Sequence, residues 1–212
     1  MEEKINTIKS WLERGSINIF GLPMSGKDTV GIRLAESLGA RFLSSGMIIR
    51  AMEQEQNQHY TDGGNLAPTD VFYDWVLPYF GREDLVDSAL VLSSVGRWSG
   101  EEDKVMDAAA NAGHPIKAVI LLNISEADVQ VRWETVRENG QREGHQTTQR
   151  EDDKERSVFD KRIAEFKEKT IPVMQHYQQL GMLIPVQADM SRDEVFNLVV
   201  DKLYEFAKTR IR

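Results

Sequence analysis

The sequence predicts a three-layer α/β domain, with a five-stranded parallel sheet covered by helices on both faces. Three observations predict it. Five short apolar runs alternate with longer segments of helical periodicity. The runs are nearly continuous in apolar residues, as strands buried on both faces are. The first run leads through a glycine-bearing turn straight into a helix. A chain of 212 residues suits one domain and is long enough for a sheet-centred core.

The elements follow in order. Ile5, Ile8, Trp11 and Leu12 fall at helical spacing, so the N-terminal segment reads as a short amphipathic helix packed on the domain. INIF (17–20) is the first strand, and the turn after it opens a helix over about 26–38. RFLS (41–44) is the second strand, followed by a helix over 46–57. The stretch QNQHYTDGGNLAPTD, rich in Gly, Asn and Asp, is a loop that enters a helix at Thr69 or Asp70 and runs to about residue 80. ALVLSS (89–94) and AVILLNI (118–124) are strands, with a helix over 101–112 between them. Ser125 with Asp128 three residues later resembles a capping box and starts a helix to 138. The segment ENGQREGHQTTQREDDKER is polar throughout and supplies no core. A long helix over 153–179, the strand MLIPV (182–186) and a helix over 191–208, started by Ser191 ahead of Asp193 and Glu194, complete the chain.

Composition narrows the function classes. A net charge of -8 argues against nucleic acid or an anionic membrane as the main partner, since both need a broad basic face. The absence of cysteine removes thiol catalysis, disulfides and cysteine-ligated zinc, and the four histidines show no metal spacing. No apolar run suggests a signal peptide or a membrane span. A cytoplasmic protein, a monomer and small-molecule partners are the expectation.

The chemistry begins at GLPMSGKDTV, Gly21 to Val30, which sits between strand and helix as a phosphate-binding loop must. Gly21 and Gly26 let the backbone curl so that successive N–H groups and the helix N-terminus point at one anion. Lys27 adds a mobile positive charge for the outer phosphates. Two letters depart from G-x-x-x-x-G-K-[ST]. Asp28 stands where the hydroxyl is usual, and the hydroxyl follows at Thr29. A carboxylate there costs Coulomb energy unless it points away or shares a cation with the phosphates. Met24 replaces a frequent glycine, tolerable with negative φ or with its strain offset. The expected architecture is the P-loop NTPase fold.

The longer spelling G-x-P-x-S-G-K-x-T resembles the adenylate kinase family of nucleoside monophosphate kinases, and the likeness continues along nearly the whole chain. LSSGMIIR is similar to that family's S-[TA]-G-D-x-x-R, and LVLSSVGRWSGEE to its L-D-G-[FY]-P-R-x-x-x-Q. VQVRWETVR and QREDDKERSVFDKRIAEF resemble the R-x-x-x-x-R and R-x-D-D segments that flank its lid. The resemblance implies a transfer of the γ-phosphoryl of ATP, with Mg2+, to a nucleoside monophosphate, AMP first among them. It implies catalytic roles for Lys27, Arg97, Arg132, Arg137, Arg150 and Arg162. ATP would lie on Gly21, Pro23, Met24, Ser25, Gly26, Lys27, Asp28, Thr29 and Arg132. The acceptor would lie on Ser45, Gly46, Arg50, Leu66, Arg97 and Glu101. Thr29 would ligate Mg2+. Residues 45–80 would form the NMP-binding insertion, and 138–150 a short, metal-free lid.

An arginine inventory of this kind suits the chemistry independently of the name. Two polyanions repel, and guanidinium forks suppress that repulsion and the charge developing on the transferred group.

The chain departs from the family at three further places. The aspartate that helps hold magnesium is Ser93, the aspartate of the acceptor motif is Met47, and the base-reading glutamine is Glu101. A carboxylate only accepts hydrogen bonds, which suits guanine or cytosine edges and opens GMP or CMP as alternative acceptors. A nucleotide-binding protein with weak or lost kinase activity, and a P-loop kinase for a non-nucleotide alcohol, are the competing readings.

Overall fold

The computed structural model describes residues 1–139 and 155–211. Five strands, β1 (Ser16–Gly21), β2 (Arg41–Ser44), β3 (Leu90–Ser93), β4 (Ile116–Asn123) and β5 (Leu183–Gln187), form one sheet in the order β2-β3-β1-β4-β5. Every neighbouring pair is parallel. This is the predicted P-loop α/β architecture.

Nine α-helices among the described residues cover the sheet: α1 (Glu2–Leu12), α2 (Lys27–Leu38), α3 (Ser45–Gln56), α4 (Thr69–Trp75), α5 (Glu102–Asn111), α6 (Glu126–Asn139), α7 (Arg156–Glu165), α8 (Ile171–Gln179) and α9 (Arg192–Lys208). The period-2 alternation of the strands divides the core into two layers. Ile17 and Ile19 of β1, Ala118, Ile120 and Leu122 of β4, and Ile184 and Val186 of β5 pack with α1, α2 and α9. Phe20, Leu90, Leu92 and Val119 pack instead with Ile48, Phe72, Val105, Val173 and Tyr177 of α3, α4, α5 and α8. With both faces buried, all six residues of β1 and all four of β3 are inaccessible, which explains the uninterrupted apolar runs.

Start signals hold where the chemistry is strong. Ser191 accepts from the Glu194 N–H at 3.4 Å while the Glu194 carboxylate accepts from the Ser191 N–H at 3.0 Å, a complete capping box. Ser125 accepts from the Asp128 N–H at 3.0 Å. The predicted helix over 153–179 is divided. α7 and α8 are joined by a π-helical turn, Phe166–Thr170, just before Pro172. Pro172 lacks an N–H and its ring crowds the carbonyl four residues back, so the backbone widens there. The predicted helix to residue 80 is also shorter, ending at Trp75 before a 3-10 turn that contains Pro78.

In an open parallel sheet, ligands bind outside the carboxyl ends of the strands where the strand order reverses. Here that point is β1, whose neighbours β3 and β4 lie on opposite sides. The expected lid lies outside the described residues from residue 140 onward, and Arg150 with it.

Candidate active site

The loop Gly21 to Gly26 leaves the carboxyl end of β1 and delivers its last residues to the N-terminus of α2. Gly21 is required by space. A Cβ there would come within 2.5 Å of the Ser25 hydroxyl and 3.2 Å of the Leu122 Cβ. Met24 takes φ 65°, the left-handed region that glycine occupies at little cost. Its strain is therefore real, and neighbouring bonds offset it. Arg132 Nη1 donates to the carbonyls of Met24 at 3.5 Å and Ser25 at 3.3 Å, and Nη2 donates to those of Ala188 at 2.7 Å and Met190 at 3.4 Å. One guanidinium thus fastens the loop to the connection between β5 and α9. Burial lowers the Arg132 pKa, an effect that Asp128 and Asp189 oppose and Arg192 reinforces. The Ser25 hydroxyl, in a residue only 2% exposed, has no hydrogen-bond partner among the described residues.

Two cavities meet at this loop. The larger, about 1520 Å³ including its open mouth, is bounded by Met24 to Val30, Arg132, Val136, Arg162 and Arg192. The second, about 790 Å³, is bounded by Ser45, Gly46, Ile49, Leu66, Phe72, Arg97, Glu101, Arg162 and the loop residues Gly21, Pro23 and Lys27. Lys27 and Arg162 line both. The sequence-predicted ATP residues therefore border one cavity or the other, and Lys27 sits where the two join.

The floor of the second cavity is the turn after β3. Asn18, buried in β1, donates to the Val95 carbonyl at 2.8 Å and accepts from the Val95 N–H at 3.3 Å. Ser45 donates to the Ser94 carbonyl at 2.6 Å. Glu101, only 2% exposed, accepts from the N–H groups of Arg97 at 2.9 Å and Trp98 at 3.1 Å with one oxygen, and from the Thr69 hydroxyl at 2.9 Å with the other. These bonds brace the turn and aim Arg97. Burial raises the Glu101 pKa, and the three hydrogen bonds oppose that rise. Burial also pushes the Arg97 guanidinium down to about 10; Arg162 and Arg50 add to the drop, while Asp28 and Glu101 resist it. Arg97 thus feels both Arg162 and Arg50 before any anion arrives.

Asp28 provides the local counter-charge. Burial favours its neutral form, yet Lys27, the Ser93 hydroxyl, Arg97 and Arg50 outweigh burial and hold its carboxyl below the ordinary range. Ser93 Oγ donates to Asp28 Oδ1 at 2.5 Å.

The remaining predicted residues divide. Thr29 lines the larger cavity beside Lys27, and Leu66 the smaller. Arg50 borders neither, but acts electrostatically on Asp28 and Arg97. Arg137 is exposed, 5.0 Å over the Trp133 ring, and borders neither cavity. Met47, at the acceptor-motif position, is 47% exposed and points to no role there. Sequence reasoning missed Asn18, Arg192 and Thr170, which donates to the Arg97 carbonyl at 3.2 Å. A polar residue in the middle of an apolar strand was the available signal for Asn18.

No protein-family model matches the chain. It is 30% identical over 193 residues to a UMP-CMP kinase of Lentinula edodes, covering 84% of this chain and 81% of that protein. The chain belongs to the adenylate kinase family of nucleoside monophosphate kinases. Adenylate kinases of Kocuria rhizophila, 29% identical over 87% of this chain and 96% of the relative, and of Bacillus subtilis, 27% identical over the same shares, are also similar. A gluconokinase from Sinorhizobium meliloti shares the fold, with a TM-score of 0.59 at 20% identity over 93% of this chain and 95% of that one. Among the described residues no helix is long and apolar enough to cross a membrane.

Proposed function

We propose that the protein transfers the γ-phosphoryl group of ATP to a nucleoside monophosphate. The observation that carries this is the pair Lys27 and Arg162, which border both cavities at once. A group that must pass from one ligand to the other has to pass their shared wall. ATP would occupy the larger cavity, its phosphates on the loop N–H groups and Lys27. The monophosphate would occupy the smaller, its phosphate on Arg97 with Arg50 behind. An oxygen of that phosphate attacks the γ-phosphorus, the bond to the β-phosphate oxygen breaks, and the products are ADP and a nucleoside diphosphate. The acceptor is already an anion, so the site needs no general base, which weighs against an alcohol substrate. Positioning and charge do the work.

Residues 45–80 serve in this reading as the NMP-binding insertion and 138–150 as the lid, with Arg132 fastening the loop, and Arg137 and Arg150 acting from the lid side. Oxygen donors at the head of α2, the Thr29 hydroxyl beside the Asp28 carboxylate, suit Mg2+. Among the described residues no group of three or more His, Cys, Asp or Glu gathers, so most of the cation's ligands would be phosphate and water oxygens. When bound, Mg2+ would neutralise the developing charge on the β- and γ-oxygens.

AMP is the acceptor we favour, because adenylate kinases are among the relatives of this chain; the Glu101 carboxylate, which already serves three internal donors, then acts as a brace and leaves the base to other groups. A second reading, CMP, is favoured by the one acceptor position Glu101 keeps, which would take the cytosine amino group. Phosphorus NMR of ATP, Mg2+ and each nucleoside monophosphate tests both. Formation of a nucleoside diphosphate with loss of the ATP γ-resonance is expected, fastest with AMP. Saturable ATP binding without transfer to any common acceptor would replace this reading with a binding protein.

A further inference from the structure

We infer that Asp28, placed by Ser93, is the carboxylate that anchors the divalent cation carried by the bound nucleotide. The inference rests on the reading that ATP occupies the loop cavity. P-loop enzymes in general hold that cation between the hydroxyl following the loop lysine and an aspartate at the end of a neighbouring strand. Here the strand ends around the loop offer no carboxylate: β1 ends at Gly21, β3 at Ser93 and β4 at Asn123. β3 pairs directly with β1, with Ser93 opposite Ile19.

The missing carboxylate reaches the same point from the other direction. Asp28 projects from the first turn of α2, and its Oδ1 accepts from Ser93 Oγ at 2.5 Å, which fixes the carboxyl group at the end of β3. The residue lines the nucleotide cavity between Lys27 and Thr29. Ser93 occupies only one lone pair. A carboxylate has about four such positions over two oxygens, so capacity remains for a metal-bound water or the cation itself.

Asp28 already faces Lys27, Arg97 and Arg50, but bound phosphates would draw on the same cations, and the carboxylate then needs a partner of its own. A carboxylate beside triphosphate oxygens is repelled by them, and a shared dication turns that repulsion into attraction. The two departures from the usual loop and strand spelling, Asp28 and Ser93, are then one exchange. The acid moved to the helix, and a hydroxyl took its place on the strand to hold it.

The test uses Mn2+ as a spin probe, with its affinity for the enzyme–ATP complex read by electron paramagnetic resonance. Affinity for metal-free ATP is measured in parallel by calorimetry. Asp28→Asn should weaken Mn2+ binding about 10–100-fold, the usual effect of losing an orienting partner of a metal site. Its affinity for metal-free ATP should stay level or rise. The exchange variant Asp28→Gly with Ser93→Asp should recover most of the Mn2+ affinity. Unchanged Mn2+ affinity in folded Asp28→Asn would overturn the inference, as would an equal loss of metal-free ATP binding, which would make Asp28 a loop brace. If the exchange variant melts too low to assay, Asp28→Asn alone decides. Wild-type protein that binds no ATP at all would overturn the nucleotide reading itself, and this inference with it.

Discussion

Replacing Arg162 by alanine removes one of the two cations that, among the described residues, border both cavities. A hydrogen bond to a charged group contributes about 1.5–3 kcal/mol net, and a guanidinium fork offers two in parallel, so about 3–6 kcal/mol of transition-state stabilisation is at stake. That corresponds to a loss of about 10²–10⁴ in turnover. Because the residue lies on the shared wall, kcat should fall and the KM values of ATP and the monophosphate should both rise. Arg162→Lys keeps the charge without the fork and should recover part of the rate. The assay couples nucleoside diphosphate formation to a spectrophotometric readout, with each substrate varied at saturating levels of the other. A loss under tenfold, or a change confined to one nucleotide's KM, would refute the shared-wall argument.

Gly64 has φ 83°, and a Cβ there would lie 3.0 Å from the Val158 carbonyl and 3.1 Å from Arg162 Cγ, whereas Gly63 has φ 64° and nothing within 4 Å. Gly63→Ala should therefore cost about 1 kcal/mol of strain, and Gly64→Ala more, with a raised monophosphate KM as Arg162 shifts; thermal melts and kinetics separate them. Glu101→Gln should keep the fold, since an amide oxygen can still accept from Arg97 and Trp98, and its NH2 can donate to Thr69 and to the pocket. If Glu101 acts only as a brace, as the AMP reading has it, the ratio of kcat/KM for AMP over CMP should stay within a few-fold of wild type, and a rise on the order of tenfold would place the carboxylate at the base and favour the CMP reading. Asp28 has a depressed pKa in the folded state, so its contribution is present above the ordinary carboxylate value of about 4 and is lost as pH falls through the lower folded value. Urea unfolding should accordingly show Asp28→Asn less stable than wild type at pH 7, with the gap closing below about pH 4.

Much of the fold was legible because the signals are local and redundant. Strands buried on both faces must be apolar along their whole length, and the capping chemistry of Ser125 and Ser191 marks its helices unaided. The π-turn before Pro172 and the early stop at Trp75 were not legible, because a proline warns of a break without saying how the backbone accommodates it. At the site, the loop could be read from its spelling and its strand-to-helix context, and Arg97, Arg132 and Arg162 from the resemblance to the family's motifs, whereas Arg192, which also lines the larger cavity, could not. The brace that Glu101 makes with Arg97, Trp98 and Thr69 could not, since it depends on residues 32 positions apart meeting in space. The same holds for Asp28 and Ser93, separated by 65 positions, whose paired departure becomes intelligible only once the hydroxyl is seen to reach the carboxylate.

The central claim, that one wall formed by Lys27 and Arg162 joins a triphosphate cavity to a monophosphate cavity, is tested most directly with a compound carrying two nucleosides linked by five phosphates. Titration calorimetry should give one molecule bound per chain, tighter than ATP or a monophosphate alone, with binding weakened by Arg162→Ala and both ordinary substrates excluded. Two molecules per chain, or binding that leaves either substrate free to enter, would contradict it.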